Sequence, residues 1–303
     1  MNKKFVQNSW GKLFMKVKAY TLNSFAKCTE GGNPAGVVLN ADDLSEDSMK
    51  KIAGIIGFSE TAFVMKSGVA DFKVRFFTPN EEVDICGHAT IGTFSTLLSK
   101  GVIKPNKYLQ ETKAGILSVE VNEDSSIMMN QNIPSYDKIL SRKEIADSLN
   151  ITISEMIEEL PIQIVSTGLR DIIIPIKNIE MVNAIKPNFE KISEISRKYN
   201  TIGYHVFTLK SFNNSNVYCR NFAPLYGITE ESATGTSNGA LACYLFKYNK
   251  LKSDNTNHII IDQGYSMKKP SEIIVSLRTE REEVIEVKVG GKALNLSEIE
   301  VEI

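Results

Sequence analysis

Residues 75–79 read RFFTP and residues 220–224 read RNFAP, so the pattern Arg-x-Phe-x-Pro occurs twice. Each copy runs through an acidic loop into a small-residue turn, CGHAT at 86–90 or ATGTS at 233–237, and each turn opens an apolar stretch of helical character. A helix and a strand precede each copy in the same order. Self-similarity of this kind marks a repeated structural unit, and each unit must bury its own apolar helix. The reading is an α+β fold of two pseudo-symmetric lobes, each a barrel-like sheet wrapped around a central apolar helix. The expected boundaries are an N-terminal extension at 1–14, a first lobe at 15–131 and a second at 132–303. The last strand, IEVEI at 299–303, is free to pair with the first lobe. The interval from Pro224 to Thr234 exceeds that from Pro79 to Cys86, so the second loop carries an insertion.

Local signals fit this frame. In LSEDSMKKIAGIIG (44–57), Ser45 is placed to cap a helix, and Glu46 and Asp47 suit its positive end. Met49, Ile52, Ala53 and Ile56 recur at helical spacing, and Gly57 reads as the stop. FKVRFFTP, GYHVFTLK and NVYCRNFAP read as strands, and HATIGTFSTLLSKG and GALACYLFKYN as buried helices.

With 35 basic and 36 acidic residues the net charge is -1, which argues against a nucleic-acid groove or a polybasic membrane face. The expected partner is a small molecule or another copy of the chain. The four cysteines, Cys28, Cys86, Cys219 and Cys243, have no CxxC spacing, which fits free thiols in a reducing compartment. Zinc is disfavoured, because only Cys86 and His88 lie close together in sequence. No apolar run matches a secretory signal or a membrane span, so a cytoplasmic location is expected, with Met15 an alternative start. No GxGxxG follows the first strand and no P-loop occurs, which argues against a nucleotide site.

The two turns sit at helix starts, where free N–H groups and the helix dipole attract anions. Gly87 and Gly235 would let a ligand approach the backbone closely. With the lobes facing each other, a small carboxylate would lie in an interlobe cleft. Glu60 is read in an apolar strand, where a buried carboxyl would have the raised pKa of a proton shuttle. His205 and His258 read as structural or exposed, Cys219 and Cys243 as core, and Asp171 as a further cleft candidate.

GNPAGVVL (32–39), FSETAF (58–63), CGHAT and EESATGTSNGAL (230–241) together resemble the PhzF-like group, named for a phenazine-biosynthesis isomerase. It belongs with diaminopimelate epimerase and proline racemase. The resemblance runs from about Met15 to the C-terminus. It implies a cofactor-independent isomerase without a metal, an active site between the lobes, and a homodimer. By motif it makes Glu60 the principal acid/base and His88 a catalytic partner. Glu231 falls on an acidic position that is usually Asp, and its carboxylate reaches one methylene further. Ser232 replaces the usual Pro, and Thr236 replaces a Ser, adding a methyl group that narrows the pocket. Gly87, Gly235, Thr236, Cys86 and Asn33 are the substrate-binding candidates, with Gly32 beside them.

In the racemases and epimerases of this superfamily two cysteines flank the substrate carbon. Here Cys86 stands on the first turn and Thr234 at the matching position of the second. The alternatives to an isomerase are a racemase or epimerase using Cys86, and a non-catalytic small-metabolite-binding protein.

Overall fold

The computed structural model describes residues 3–7, 13–212, 215–251 and 256–303. The chain divides into two units, Met1–Met129 with Gly291–Ile303, and Asn130–Gly290. Of the stretch 1–14, Lys3–Gln7 forms a strand antiparallel to Leu13–Ser24, and the remainder outside these two strands is not among the described residues.

The strand pairings show how closely the units correspond. In the first, Leu13–Ser24 pairs antiparallel with Asn33–Val38, which pairs parallel with Thr61–Met65, and that strand pairs antiparallel with Phe72–Phe77. Phe72–Phe77 then pairs parallel with Asn106–Thr112, and antiparallel hairpins through Gly115–Val121 and Ile127–Gln131 follow. In the second unit Gln163–Ser166, Arg170–Pro175, Gly203–Thr208, Val217–Ala223, Ile259–Gln263, Ser271–Glu280 and Glu283–Gly291 pair in the same succession of antiparallel and parallel steps. Each unit also adds a short strand, Glu82–Val83 or Ile228–Glu231, beside the strand carrying the repeated arginine.

Helices fill the parallel crossovers, as parallel pairing requires. In the first unit these are α1 (Glu46–Ile56) and α2 (Gly87–Ser99). In the second, α3 (Arg142–Leu149) comes first, α4 (Ile179–Ala184) and α5 (Phe189–Tyr199) occupy the first crossover, and α6 (Gly235–Lys247) the second. Helix α1 starts where its sequence says: the Ser45 hydroxyl accepts from the Ser48 N–H at 3.2 Å, and Gly57 ends it in the left-handed region at φ 73°.

α2 and α6 are buried on nearly every face, including Ala89, Ile91, Phe94 and Leu97 in one and Ala240, Leu241, Cys243 and Leu245 in the other. The three buried threonine hydroxyls of α2 are satisfied inside the helix. Thr90, Thr93 and Thr96 each donate to the carbonyl four residues back at 2.8 Å. Both helices press closely on their sheets. A methyl group on Gly239 would lie 2.9 Å from Val289 Cγ2, so glycine is required there.

The C-terminal strand Ala293–Glu302, within the second lobe's expected bounds but read as free to pair with the first, lies in the first unit, antiparallel to Leu13–Ser24. Its alternating glutamates meet alternating lysines: Lys16 reaches Glu300 and Glu302, and Lys18 reaches Glu298 at 2.6 Å.

The repeated arginine has the same task in both units. Arg75 grips the Glu82 carboxylate with two 2.8 Å bonds, and Arg220 grips Glu230 with two of 2.9 Å. Each guanidinium lies over the motif's own phenylalanine, 5.0 Å from the Phe77 centroid or 4.8 Å from that of Phe222. Each also ties down a crossover helix, Arg75 through Glu46 of α1 and Arg220 through the Val182 and Ile185 carbonyls at the end of α4. Lysine cannot reproduce a planar fork. Arg220→Lys is therefore expected to cost about 1.5–3 kcal/mol, the range for hydrogen bonds to charged groups. Arg75→Lys should cost less, because the Arg75 side chain is 23% exposed against 8% for Arg220. Urea denaturation of both variants checks the order.

Candidate active site

The turn CGHAT becomes the start of α2. Cys86 is its N-cap, in extended backbone at φ -142° and ψ 117°, and its side chain makes no capping bond. The Cys86 sulfur lies 3.4 Å from Nδ1 of His88 and 3.8 Å from Nε2. Both residues are buried, at 8% and 7% exposure. Glu60 arrives from elsewhere in the chain and brings Oε2 to 3.2 Å from His88 Nε2. That contact meets the distance for an ion pair but not hydrogen-bond alignment, and Oε2 has no other hydrogen-bond partner among the described residues. Ser59 places its hydroxyl 3.3 Å from the same His88 nitrogen.

Glu60 stands one residue ahead of the strand Thr61–Met65, not inside it as the alternating pattern suggested. The reason is the turn that follows α1: only the Glu60 carbonyl joins the sheet, accepting from the Gly36 N–H at 3.3 Å. Its side chain keeps 21% exposure, so this carboxylate lies at the edge of the core. Burial holds the His88 imidazole below its ordinary pKa, with the Glu60 charge pulling the other way. Neutral imidazole can donate from one nitrogen and accept at the other.

Gly87 begins α2. A methyl group there would meet only Met129 Cε, at an ordinary 3.5 Å, so the fold itself does not demand glycine. Asn33 is buried opposite Ser24, whose hydroxyl donates to the His88 carbonyl at 2.6 Å. Gly32, at φ 88°, cannot take a side chain, because its Cβ would sit 2.7 Å from the Ser24 carbonyl oxygen.

In the second unit the equivalent turn is organised by amides. Thr234 is the N-cap of α6 at φ -127° and ψ 108°, close to the Cys86 conformation. Its hydroxyl donates to Glu231 Oε2 at 2.9 Å and accepts from Gln263 Nε2 at 3.0 Å. Gln263 also donates to the Glu231 carbonyl at 2.8 Å, while its own carbonyl oxygen accepts from the Thr234 N–H and from Asn238 Nδ2. The carbonyl of Thr236, the residue after Gly235, accepts from the Thr167 hydroxyl at 3.1 Å. Glu230, next to Glu231, belongs to the arginine clamp.

Behind this turn lies a buried polar chain. His205 sits between Asn238 Oδ1 and Asn221 Nδ2, each at 3.1 Å, and burial lowers its pKa to about 4. Asn221 bonds the Ser237 hydroxyl, which donates to Asp171 Oδ2 at 2.8 Å. Asp171, the further cleft candidate of the sequence, ends this polar chain. It is fully buried, Oδ1 has no hydrogen-bond partner among the described residues, and desolvation pushes its pKa to about 7. Burial also raises the pKa of Cys243 to about 12 and that of Cys219 well above its usual range, as inert core thiols require. His258 is exposed.

Ser59 and Gln263 are the contributors that the sequence left unmarked. Ser59 lay inside FSETAF, so its neighbourhood was visible. Gln263 ends an isoleucine-rich strand, HIIIDQ, and an amide closing such a run is the signal that was available.

Two units of identical strand succession, each built on one apolar helix, define the diaminopimelate epimerase type of fold. A hydroxyproline epimerase from Agrobacterium vitis shares it, with a TM-score of 0.60 at 11% identity over 95% of this chain and 93% of that one. The family profile described as "Phenazine biosynthesis-like protein" matches residues 22–298, and the chain belongs to this PhzF family. A PhzF-family protein from Bacillus anthracis has a TM-score of 0.85 at 32% identity, over 95% of this chain and 99% of that one. An "uncharacterized isomerase" of Clostridium acetobutylicum is 36% identical over 93% of this chain and 97% of its own length. A trans-2,3-dihydro-3-hydroxyanthranilate isomerase of Pseudomonas chlororaphis is 28% identical over 90% of this chain and 95% of its own. Among the described residues no helix is long and apolar enough to cross a membrane.

Proposed function

We propose that this chain is an isomerase that moves a proton within a small carboxylate-bearing molecule, with Glu60 taking the proton and returning it. The observation that carries this reading is Glu60 Oε2 held 3.2 Å from a buried imidazole nitrogen, an oxygen that has no hydrogen-bond partner among the described residues. A carboxylate so placed can accept a proton from carbon without first breaking a strong bond. His88, neutral through burial, steadies the carboxylate or donates to a substrate oxygen as charge develops there. The free N–H groups at the start of α2, with Gly87 leaving room beside them, suit the carboxylate of the ligand.

On the same reading Glu231 is the second catalytic carboxylate, held in aim by Thr234 and Gln263. Gly235, Thr236, Asn33 and Cys86 contribute to substrate binding. A two-thiol racemase is less well supported. The residue in the N-cap position equivalent to Cys86 is Thr234, and its hydroxyl proton is committed to Glu231.

The test is proton exchange. The protein is incubated in D2O with trans-2,3-dihydro-3-hydroxyanthranilate, the compound named for the Pseudomonas chlororaphis relative, and with a panel of small unsaturated amino carboxylates. Deuterium entering at one carbon of a rearranged product is the expected result. Ligand binding without exchange would favour the metabolite-binding reading, and exchange with inversion at a stereocentre would favour a racemase.

A further inference from the structure

Glu60, Cys86 and His88 bring a carboxylate oxygen, a sulfur and an imidazole nitrogen within 4.8 Å of one another, as no other trio of such groups does among the described residues. We propose that these three side chains form a site for a thiophilic divalent cation, of which Zn²⁺ is the natural example, and that occupancy blocks the proposed proton transfer. The inference rests on the reading of Glu60 as the proton carrier only for the second half of that statement.

The geometry carries it. Zinc bonds of about 2.3 Å to sulfur and about 2.0–2.2 Å to nitrogen and oxygen, set tetrahedrally, put the ligand atoms about 3.6 Å apart for sulfur and nitrogen and about 3.4 Å apart for nitrogen and oxygen. The observed separations are 3.8 Å from Cys86 Sγ to His88 Nε2 and 3.2 Å from His88 Nε2 to Glu60 Oε2. These two separations lie about 0.2 Å from the tetrahedral edges, and the sulfur and carboxylate oxygen are within 4.8 Å of each other; because Sγ lies nearer Nδ1, at 3.4 Å, joint coordination through Nε2 requires the Cys86 side chain to rotate toward that nitrogen.

Donor chemistry agrees. Thiolate with imidazole selects zinc and its neighbours over magnesium or calcium, which prefer oxygen alone. Cys86 and His88 are buried and Glu60 Oε2 is itself shielded, but the Glu60 side chain keeps 21% exposure, and an ion would enter past it. A site with three protein ligands leaves one coordination position open. Binding here is reversible and inhibitory, because it occupies the carboxylate that must accept the proton. It also draws the Cys86 proton off, so affinity should rise with pH.

Sequence spacing disfavoured zinc because it contained only Cys86 and His88; the third donor comes from 26 residues before Cys86, by the difference of their numbers.

Cobalt(II) is the probe, since it reports both thiolate ligation and tetrahedral geometry optically. Titrating the metal-free full chain with Co²⁺ should give a sulfur-to-cobalt charge-transfer band and tetrahedral visible bands that saturate at one equivalent. Zn²⁺ should displace both. The Cys28→Ser variant, lacking the partly exposed thiol, should keep the spectrum. Cys86→Ser should lose the charge-transfer band, and His88→Gln and Glu60→Gln should each weaken binding at least tenfold. No band in the wild type, or a band that survives Cys86→Ser, overturns the site. If Cys86→Ser does not fold, the decision falls on whether the wild-type and Cys28→Ser spectra are present and yield to Zn²⁺. Because the spectrum needs no substrate, a failed isomerase assay leaves it intact. Conversely, exchange activity that Zn²⁺ leaves unaffected at saturation refutes the blocking role alone.

Discussion

Glu60→Gln should lower kcat by about 10²–10⁴-fold, the usual contribution of a positioned acid/base group. That corresponds to about 3–5 kcal/mol of transition-state stabilisation. The amide keeps the shape of the carboxylate and its place beside His88 but cannot accept a proton. The side chain sits at the edge of the core, ahead of the strand, so circular dichroism should be unchanged. Cys86→Ala should cost less than about tenfold, because it removes a neighbour of His88 and not the proton carrier. The measurement is kcat for both variants on whichever substrate supports deuterium exchange. Abolished turnover in Cys86→Ala with most activity kept in Glu60→Gln would replace the isomerase by a thiol-dependent racemase.

Asp171 should make the protein less stable as pH rises from about 4 to about 7. Its carboxyl is fully buried with one hydrogen bond, from Ser237, and its pKa stands near 7 against an ordinary 3.8. In that window the folded state holds the proton and the unfolded state has released it. The slope of unfolding free energy with pH is therefore negative. The contribution is complete below the unfolded value and lost by the time pH passes the folded one. At about 1.36 kcal/mol per pH unit the loss is on the order of 4 kcal/mol. Asp171→Asn cannot titrate. Its stability relative to the wild type should therefore improve by that order between pH 4 and pH 8 in urea denaturation, where other groups cancel in the difference. A constant difference across the range would show that Asp171 does not titrate there.

Much of the fold was legible because its signals are local. Ser45 and Gly57 bracket α1 through contacts within four residues, and an apolar run long enough for a helix but bare of charge could only be a buried one. The duplication was legible because each copy repeats the same short pattern. The purpose of that pattern was not. Arg-x-Phe-x-Pro recurs because Arg75 and Arg220 each bind a loop carboxylate, a ring and a crossover helix, and none of those partners is specified by the five residues themselves. In the candidate site, Glu60 and His88 were marked by motif and do come together, as does Cys86. Asp171 was read only as a cleft candidate; its full burial was not legible, because the hydroxyl it accepts from, on Ser237, lies 66 positions away.

Sequence alone determined the two-unit plan, the positions of the two buried helices and the motif residues at their starts, since periodicity, capping and repetition act over neighbouring residues. Tertiary structure decided what those residues touch. It took the C-terminal strand into the first unit, where its glutamates face Lys16 and Lys18. It set Gln263 under Glu231 and Thr234. It also closed Glu60 onto Cys86 and His88 to make one cluster of three donors. The physical reason is the same in each case: a contact between distant residues is fixed by strand register and burial of the whole unit, and the free energy that selects it is not stored in any short segment.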